Sequence, residues 1–165
     1  MHKVLGAGAL LLTLTGAAQA QEAMELDGIG VSRDVSCKGR DVIITGNANE
    51  FRLDGDCGRV EVQGSEHVLR LGSAASLEVT GAENRVDVGR IGGLAVNGSG
   101  HRINAKIRGE GQSPTVSIYG AENILQLDLE GPASIEVNGI GQHVAWEGEE
   151  PEISTSGTDH RIERK

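Results

Sequence analysis

Apolar and polar residues alternate along this chain over short runs, and the runs come in pairs. In Leu77-Glu78-Val79-Thr80-Gly81-Ala82-Glu83-Asn84-Arg85-Val86-Asp87-Val88, two apolar residues precede a Gly and two follow it. Side chains of a strand change face at every residue. Leu77 and Val79 therefore share one face, as do Val86 and Val88, while Glu78, Thr80, Arg85 and Asp87 take the other. The pattern predicts a half-buried strand, a corner, and a second half-buried strand. The Gly gives the corner backbone freedom, or lets a neighbouring layer approach closely.

The phrase occurs seven times, about Gly46, Gly64, Gly81, Gly98, Gly120, Gly139 and Gly157, at intervals of 18, 17, 17, 22, 19 and 18 residues. Repeats this short cannot hold helices. Each fits one coil of a β-solenoid whose strands pair in parallel with their copies one turn on, in layers about 4.8 Å apart. An antiparallel sandwich has no reason to keep like residues in columns turn after turn. The expected fold is all-β, a single parallel β-solenoid (β-helix) of about seven turns with 17–22 residues per turn. Residues 41–165 form the repeat domain and end in a polar turn. Residues 21–40 contain Met24, Leu26, Ile29 and Val31 without a clean period. They read as an N-terminal lead-in, a strand or loop covering the first layer.

Three residues past each Gly stands Asn49, His67, Asn84, His101, Asn123, Gln142 or His160. Parity places these polar side chains inward, on the face of Phe51, Leu69, Val86, Ile103, Leu125, Val144 and Ile162. Buried polar groups need hydrogen-bond partners, so the column predicts an inward ladder in which each side chain bonds the next layer. In the last repeat Thr155 replaces an apolar inward residue, and Arg161 to Lys165 add charge. This reads as a cap on an open strand edge. Trp146, the only Trp, is inward in the sixth repeat and closes the core from the C-terminal side. The 22-residue interval contains Arg108-Gly109-Glu110-Gly111-Gln112-Ser113-Pro114, predicted to bulge from the wall as a loop.

Composition changes this picture in three places. The chain has 165 residues, 25 of them Gly and only 2% aromatic, so a core must come from many thin, similar layers within one domain. His2 and Lys3, the apolar run Val4 to Thr15, and Ala18-Gln19-Ala20 read as a Sec-type signal peptide, residues 1–20, cleaved before Gln21. The run falls short of the roughly 20 residues a membrane helix needs, so no membrane span remains after cleavage. The expected location is the bacterial periplasm or the medium. In such an oxidising compartment Cys37 and Cys57 form a disulfide, whose closed loop contributes about 3 kcal/mol. The formal charge is −9 and drops by one more when Lys3 leaves, which makes nucleic acid a poor partner.

The phrases Val79-Thr80-Gly81-Ala82-Glu83-Asn84-Arg85-Val86 and Tyr119-Gly120-Ala121-Glu122-Asn123, with Asp54-Gly55-Asp56-Cys57-Gly58, resemble an exported bacterial β-solenoid repeat family catalogued as a domain of unknown function. That family shows repeated Val-x-Gly-x-x-Asn-x-Val phrases and an early Cys pair. The resemblance spans roughly residues 37 to 146, with His67 and His101 departing from the Asn column. It implies the solenoid and brings no activity with it.

Chemistry-bearing clusters are sparse. His67 and His101 lie two layers apart, about 9.6 Å, too far to share a metal ion. His143 and His160 fall in columns of opposite parity. Glu61 and Glu78 share an outward column, as do Arg85 and Arg102, and Arg52 and Arg70. These read as solvated charge ladders. There is no Ser/His/Asp constellation and no phosphate loop, so no catalytic, metal or cofactor residue is expected. Two function classes remain. The first is a structural or protein-interaction module of the envelope, partnered by another envelope protein or by itself. The second is a glycan- or cell-wall-binding module, with a small carbohydrate-active enzyme behind it. Candidate surface residues are Arg85, Arg102, Tyr119, Asn97 and Asn138, the last three joining the 108–114 loop in the glycan reading. Sugar sites favour aromatic rings, and Tyr119 is the one plausible exposed ring, so the interaction module ranks first.

Overall fold

The computed structural model of the chain describes residues 22–109 and 111–165; the expected signal peptide lies outside them. Every paired strand runs parallel to its neighbour. The elements are β1 (Met24–Ile29), β2 (Ser32–Ser36), β3 (Val42–Asn47), β4 (Glu50–Ser65), β5 (Val68–Ala82), β6 (Arg85–Ile91) and β7 (Leu94–Ser99). They continue as β8 (Arg102–Ile107), β9 (Thr115–Ala121), β10 (Ile124–Leu129), β11 (Ser134–Ile140), β12 (His143–Gly148), β13 (Glu152–Thr158) and β14 (Arg161–Arg164). Two stacks result. One holds β1, β3, the ends of β4 and β5, then β7, β9, β11 and β13. The other holds β2, the starts of β4 and β5, then β6, β8, β10, β12 and β14.

Parity works as the alternation requires. Val42, Ile44, Val60, Val62, Leu77, Val79 and their copies through Ile135 and Val137 are buried. The residues between them face out. A third, shorter wall closes the coil, where Cys57, Ala74, Ile91, Ile107 and Leu129 stack in register. Each layer thus contributes a few aliphatic side chains to a continuous core, and Phe51 and Trp146 are the aromatics in it.

Eight turns are present where seven were expected. Residues 24–36, read as a lead-in, form a complete first turn: Gly28 pairs with Gly46 and Val35 with Leu53. The turn escaped the sequence pattern because Val31 occupies the polar-column position, directly before Asn49. The Cys37–Cys57 disulfide, with Cα atoms 4.9 Å apart, spans one layer step and fastens this first turn to the second.

The corners explain the Gly column. Gly81 has φ +126° and a side chain there would collide with the carbonyl oxygen of Gly64 in the layer before; the same holds from Gly46 to Gly157. Both roles expected of the Gly, unusual φ and close approach, apply together. Two residues on, Ala48, Glu66, Glu83, Glu122 and Asp159 adopt left-handed backbone, with φ from 53° to 61°, and complete the turn that aims the next side chain inward.

At the C-terminal end Ile153 is 40% exposed while Ile135, one layer inside it, is 1% exposed. The Arg164 guanidinium lies 5.0 Å from the centre of the Trp146 ring. It covers the ring that ends the large apolar core.

Candidate functional site

The corner turn delivers Asn49, His67, Asn84, His101, Asn123 and Gln142 into the core, where each is at most 1% exposed. One rule joins them: each backbone N–H donates to the acceptor atom of the next layer's side chain. Val31 N donates to Asn49 Oδ1 (2.9 Å), Asn49 N to His67 Nδ1 (3.4 Å), and His67 N to Asn84 Oδ1 (2.9 Å). Asn84 N donates to His101 Nδ1 (3.2 Å), His101 N to Asn123 Oδ1 (3.0 Å), Asn123 N to Gln142 Oε1 (3.1 Å), and Gln142 N to His160 Nδ1 (3.3 Å). The seven residues therefore form one ladder, six of them buried as expected; His160 joins it but is half-exposed, because no further layer covers the last turn.

Each rung also donates back to a carbonyl. Asn84 Nδ2 reaches Gly64 O at 2.9 Å, and Asn123 Nδ2 reaches Gly98 O at 3.1 Å. His67 Nε2 faces Gln63 O at 3.4 Å, and His101 Nε2 faces Asn97 O at 3.3 Å. A carbonyl only accepts and an N–H only donates. The His rings must then carry hydrogen on Nε2 and a bare lone pair on Nδ1. In that neutral tautomer His presents the same acceptor–donor pair as an Asn amide, which is why the two alternate in the column. Burial pushes His67 and His101 below the ordinary imidazole range, against the opposing pull of their carbonyl partners. Among the described residues no buried side-chain polar atom lacks a partner. The ladder is structural chemistry, with no reactive atom open to solvent along its buried rungs.

Outward, the two strand stacks differ in charge. The strands of the first stack carry Glu25, Asp27, Glu61, Glu78, Glu136 and Glu152, and their one Lys or Arg among the described residues is Arg59, where the end of β4 joins the stack. The second displays Arg52, Arg70, Arg85, Arg102, Lys106 and Arg161 interspersed with Glu50, Asp87, Asp128, Glu147 and Glu163. The expected charge ladders are present. Arg59, beside the first face, binds Glu61 at 3.0 Å and Glu78 at 2.9 Å, and Arg70 binds Glu50 at 2.9 Å. All face solvent, Glu61 being the least open, so each contributes little to stability. His143 and Arg161 converge on Glu163, at 3.1 and 2.9 Å, and hold its carboxyl below the usual range.

The structure splits the candidate surface residues between these faces. Asn97, Tyr119 and Asn138 stack on successive layers of the first. The Tyr119 hydroxyl donates to Glu136 Oε2 at 3.2 Å, which raises its pKa. Arg85 and Arg102 stack on the second. The described part of the 108–114 loop stands with neither group: Gly109 and Gln112 to Pro114 overhang the third wall and enclose a cleft with Asp56, Ser73, Arg90 and Arg108. Tyr119 and its flanking Asn residues lie outside that cleft. Only the extra length of the fourth interval signals the cleft in the sequence, because the third wall follows no fixed period.

Residues 44–101 match the model of a family described as a protein of unknown function (DUF3060). That match lies within the stretch whose phrases carry the resemblance. No curated protein and no solved structure matches the chain. No helix among the described residues is long and apolar enough to cross a membrane.

Proposed function

We propose that this chain is an exported bacterial protein, freed of residues 1–20, that works without catalysis as a rigid structural or protein-interaction module of the envelope. The observation that carries the reading is the division of outward charge: one in-register face displays carboxylates with Arg59 as the cation paired to them at its edge, and its neighbour concentrates the arginines among acidic residues. Two rigid faces of different chemistry suit two different contacts. Export is supported by the leader pattern in the sequence and is consistent with a disulfide between its two cysteines. The test is site-specific photo-crosslinking in the native envelope from Arg85, Tyr119 and Gln112, read by mass spectrometry. A reproducible protein adduct from one face supports the module and names its working surface. Turnover of a glycan by the purified mature protein would overturn it.

A second reading, a glycan- or cell-wall-binding module, draws on the Asn97–Tyr119–Asn138 stack. Its signature is retention on cell-wall polysaccharide that Tyr119→Ala abolishes.

A further inference from the structure

We propose that the cleft over the third wall binds a small acidic sugar, a hydroxylated carboxylate, independently of either strand face. The cleft encloses about 640 Å³, within the range of small-molecule sites. It is a concave feature that the longest repeat interval creates, where Gln112 to Thr115 overhang a floor of small residues, Ala74, Ala75 and Gly92. A small floor leaves backbone and open space where bulkier residues would fill the wall.

The polar groups are arranged by charge. Asp56, Ser73 and Arg90 occupy one column on three successive layers. Two layer steps put Asp56 and Arg90 about 9.6 Å apart along the wall. Asp56 and Ser73 are hydrogen-bonded to each other at one end. At the other end the half-exposed guanidinium groups of Arg90 and Arg108 share a single carboxylate, Glu130, each at 3.8 Å. That separation exceeds a hydrogen bond. Two cations facing one carboxylate, neither hydrogen-bonded to it, retain donors for a second carboxylate. The Asp56–Ser73 end offers acceptors for hydroxyl groups. A ligand satisfying both ends carries an anionic group at one side and hydroxyls at the other. The cleft contains no aromatic ring, so recognition rests on hydrogen bonds and charge and weakens as salt rises.

The experiment is calorimetric titration of the mature protein with glucuronate and with a glucuronate-containing oligosaccharide, against glucose and acetate, at low and high salt. We expect saturable, salt-sensitive binding of the acidic sugar, at least ten-fold weaker for acetate or glucose. Stronger binding of the oligosaccharide assigns the ligand to a polymer end, and equal binding assigns it to the free sugar. Two variants guard the result. R90Q/R108Q removes the anion end, and A75Q fills the floor while keeping both arginines; each should reduce binding at least ten-fold with the melting transition unchanged. No binding of either acidic sugar overturns the proposal. So does acetate binding as tightly, which marks a bare anion site, or full binding by R90Q/R108Q. Envelope crosslinking from the strand faces can succeed or fail whatever this titration returns.

Discussion

Nδ1 of His101 accepts the backbone N–H of Asn84 at 3.2 Å, from a residue 17 positions earlier and one layer away. A protonated imidazole has no lone pair to offer there. The bond therefore ties part of the solenoid's stability to an imidazole that must stay neutral.

The sign of the pH effect follows. His67 and His101 have native pKa values below the ordinary 6.5, so the unfolded chain binds protons first. Their contribution is complete above pH 6.5 and is lost progressively as pH falls from 6.5 toward the native values. Carboxylates titrate lower, near 4. Thermal unfolding should show a stability loss already between about pH 6.5 and 5. In H67N/H101N, where the amide makes both bonds without titrating, that segment of the profile should flatten. An unchanged slope in the variant would mean that His67 and His101 do not govern it.

Removing a rung should be costly. Asn84→Ala leaves the His67 N–H and the Gly64 carbonyl without their partners in a buried site. The expected loss is about 2–4 kcal/mol by chemical denaturation. Asn84→His should recover much of it, since neighbouring rungs already use that ring.

The corner positions separate two kinds of backbone demand. Gly81→Ala brings a Cβ against Gly64 O at φ +126°, and the variant should lose more than about 4 kcal/mol or fail to fold. Glu83→Gly, two residues on at φ 56°, relieves left-handed strain and should stabilise by up to about 1 kcal/mol. Comparing the melting temperatures of the two variants tests the assignment of these roles.

The ends resist stacking on one another. Arg33 stands in the column of Phe51 and Arg164 in that of Trp146, so an end-to-end contact would bury both cations. Val31 offers no acceptor for the N–H of His160. Arg33→Leu with Arg164→Leu should raise the apparent mass at high concentration by light scattering, while the unmodified protein keeps one mass.

Much of this architecture was legible because its columns repeat chemistry. The Gly at each corner, the apolar pairs around it and the polar residue three places on fixed strand faces, register and ladder for the turns from Val42 onward. Residues 24–36 were illegible as a turn for one local reason: Val31 needs no acceptor of its own in the outermost layer, so the polar marker is missing. The third wall was hidden for another. Ala74, Ile91 and Ile107 lie where the intervals vary, and a core column without a constant period leaves no pattern to read. The cleft beside that wall was hidden with it. Parity could say that Arg85 and Tyr119 point outward but could not say that they occupy different faces, because that depends on the angle at the corner.

The placement of the disulfide gives the molecule a direction of failure. Layers of a solenoid are held chiefly by their neighbours, so loss of structure begins at a terminus and travels inward. The covalent link from Cys37 to Cys57 stitches the first two coils together, whereas the last coil, with Ile153 and Thr155 open to water, has no such stitch. Under heat or tension the chain should unravel from its C-terminus toward its N-terminus. After reduction the two ends lose that inequality, and the rod can fray from both.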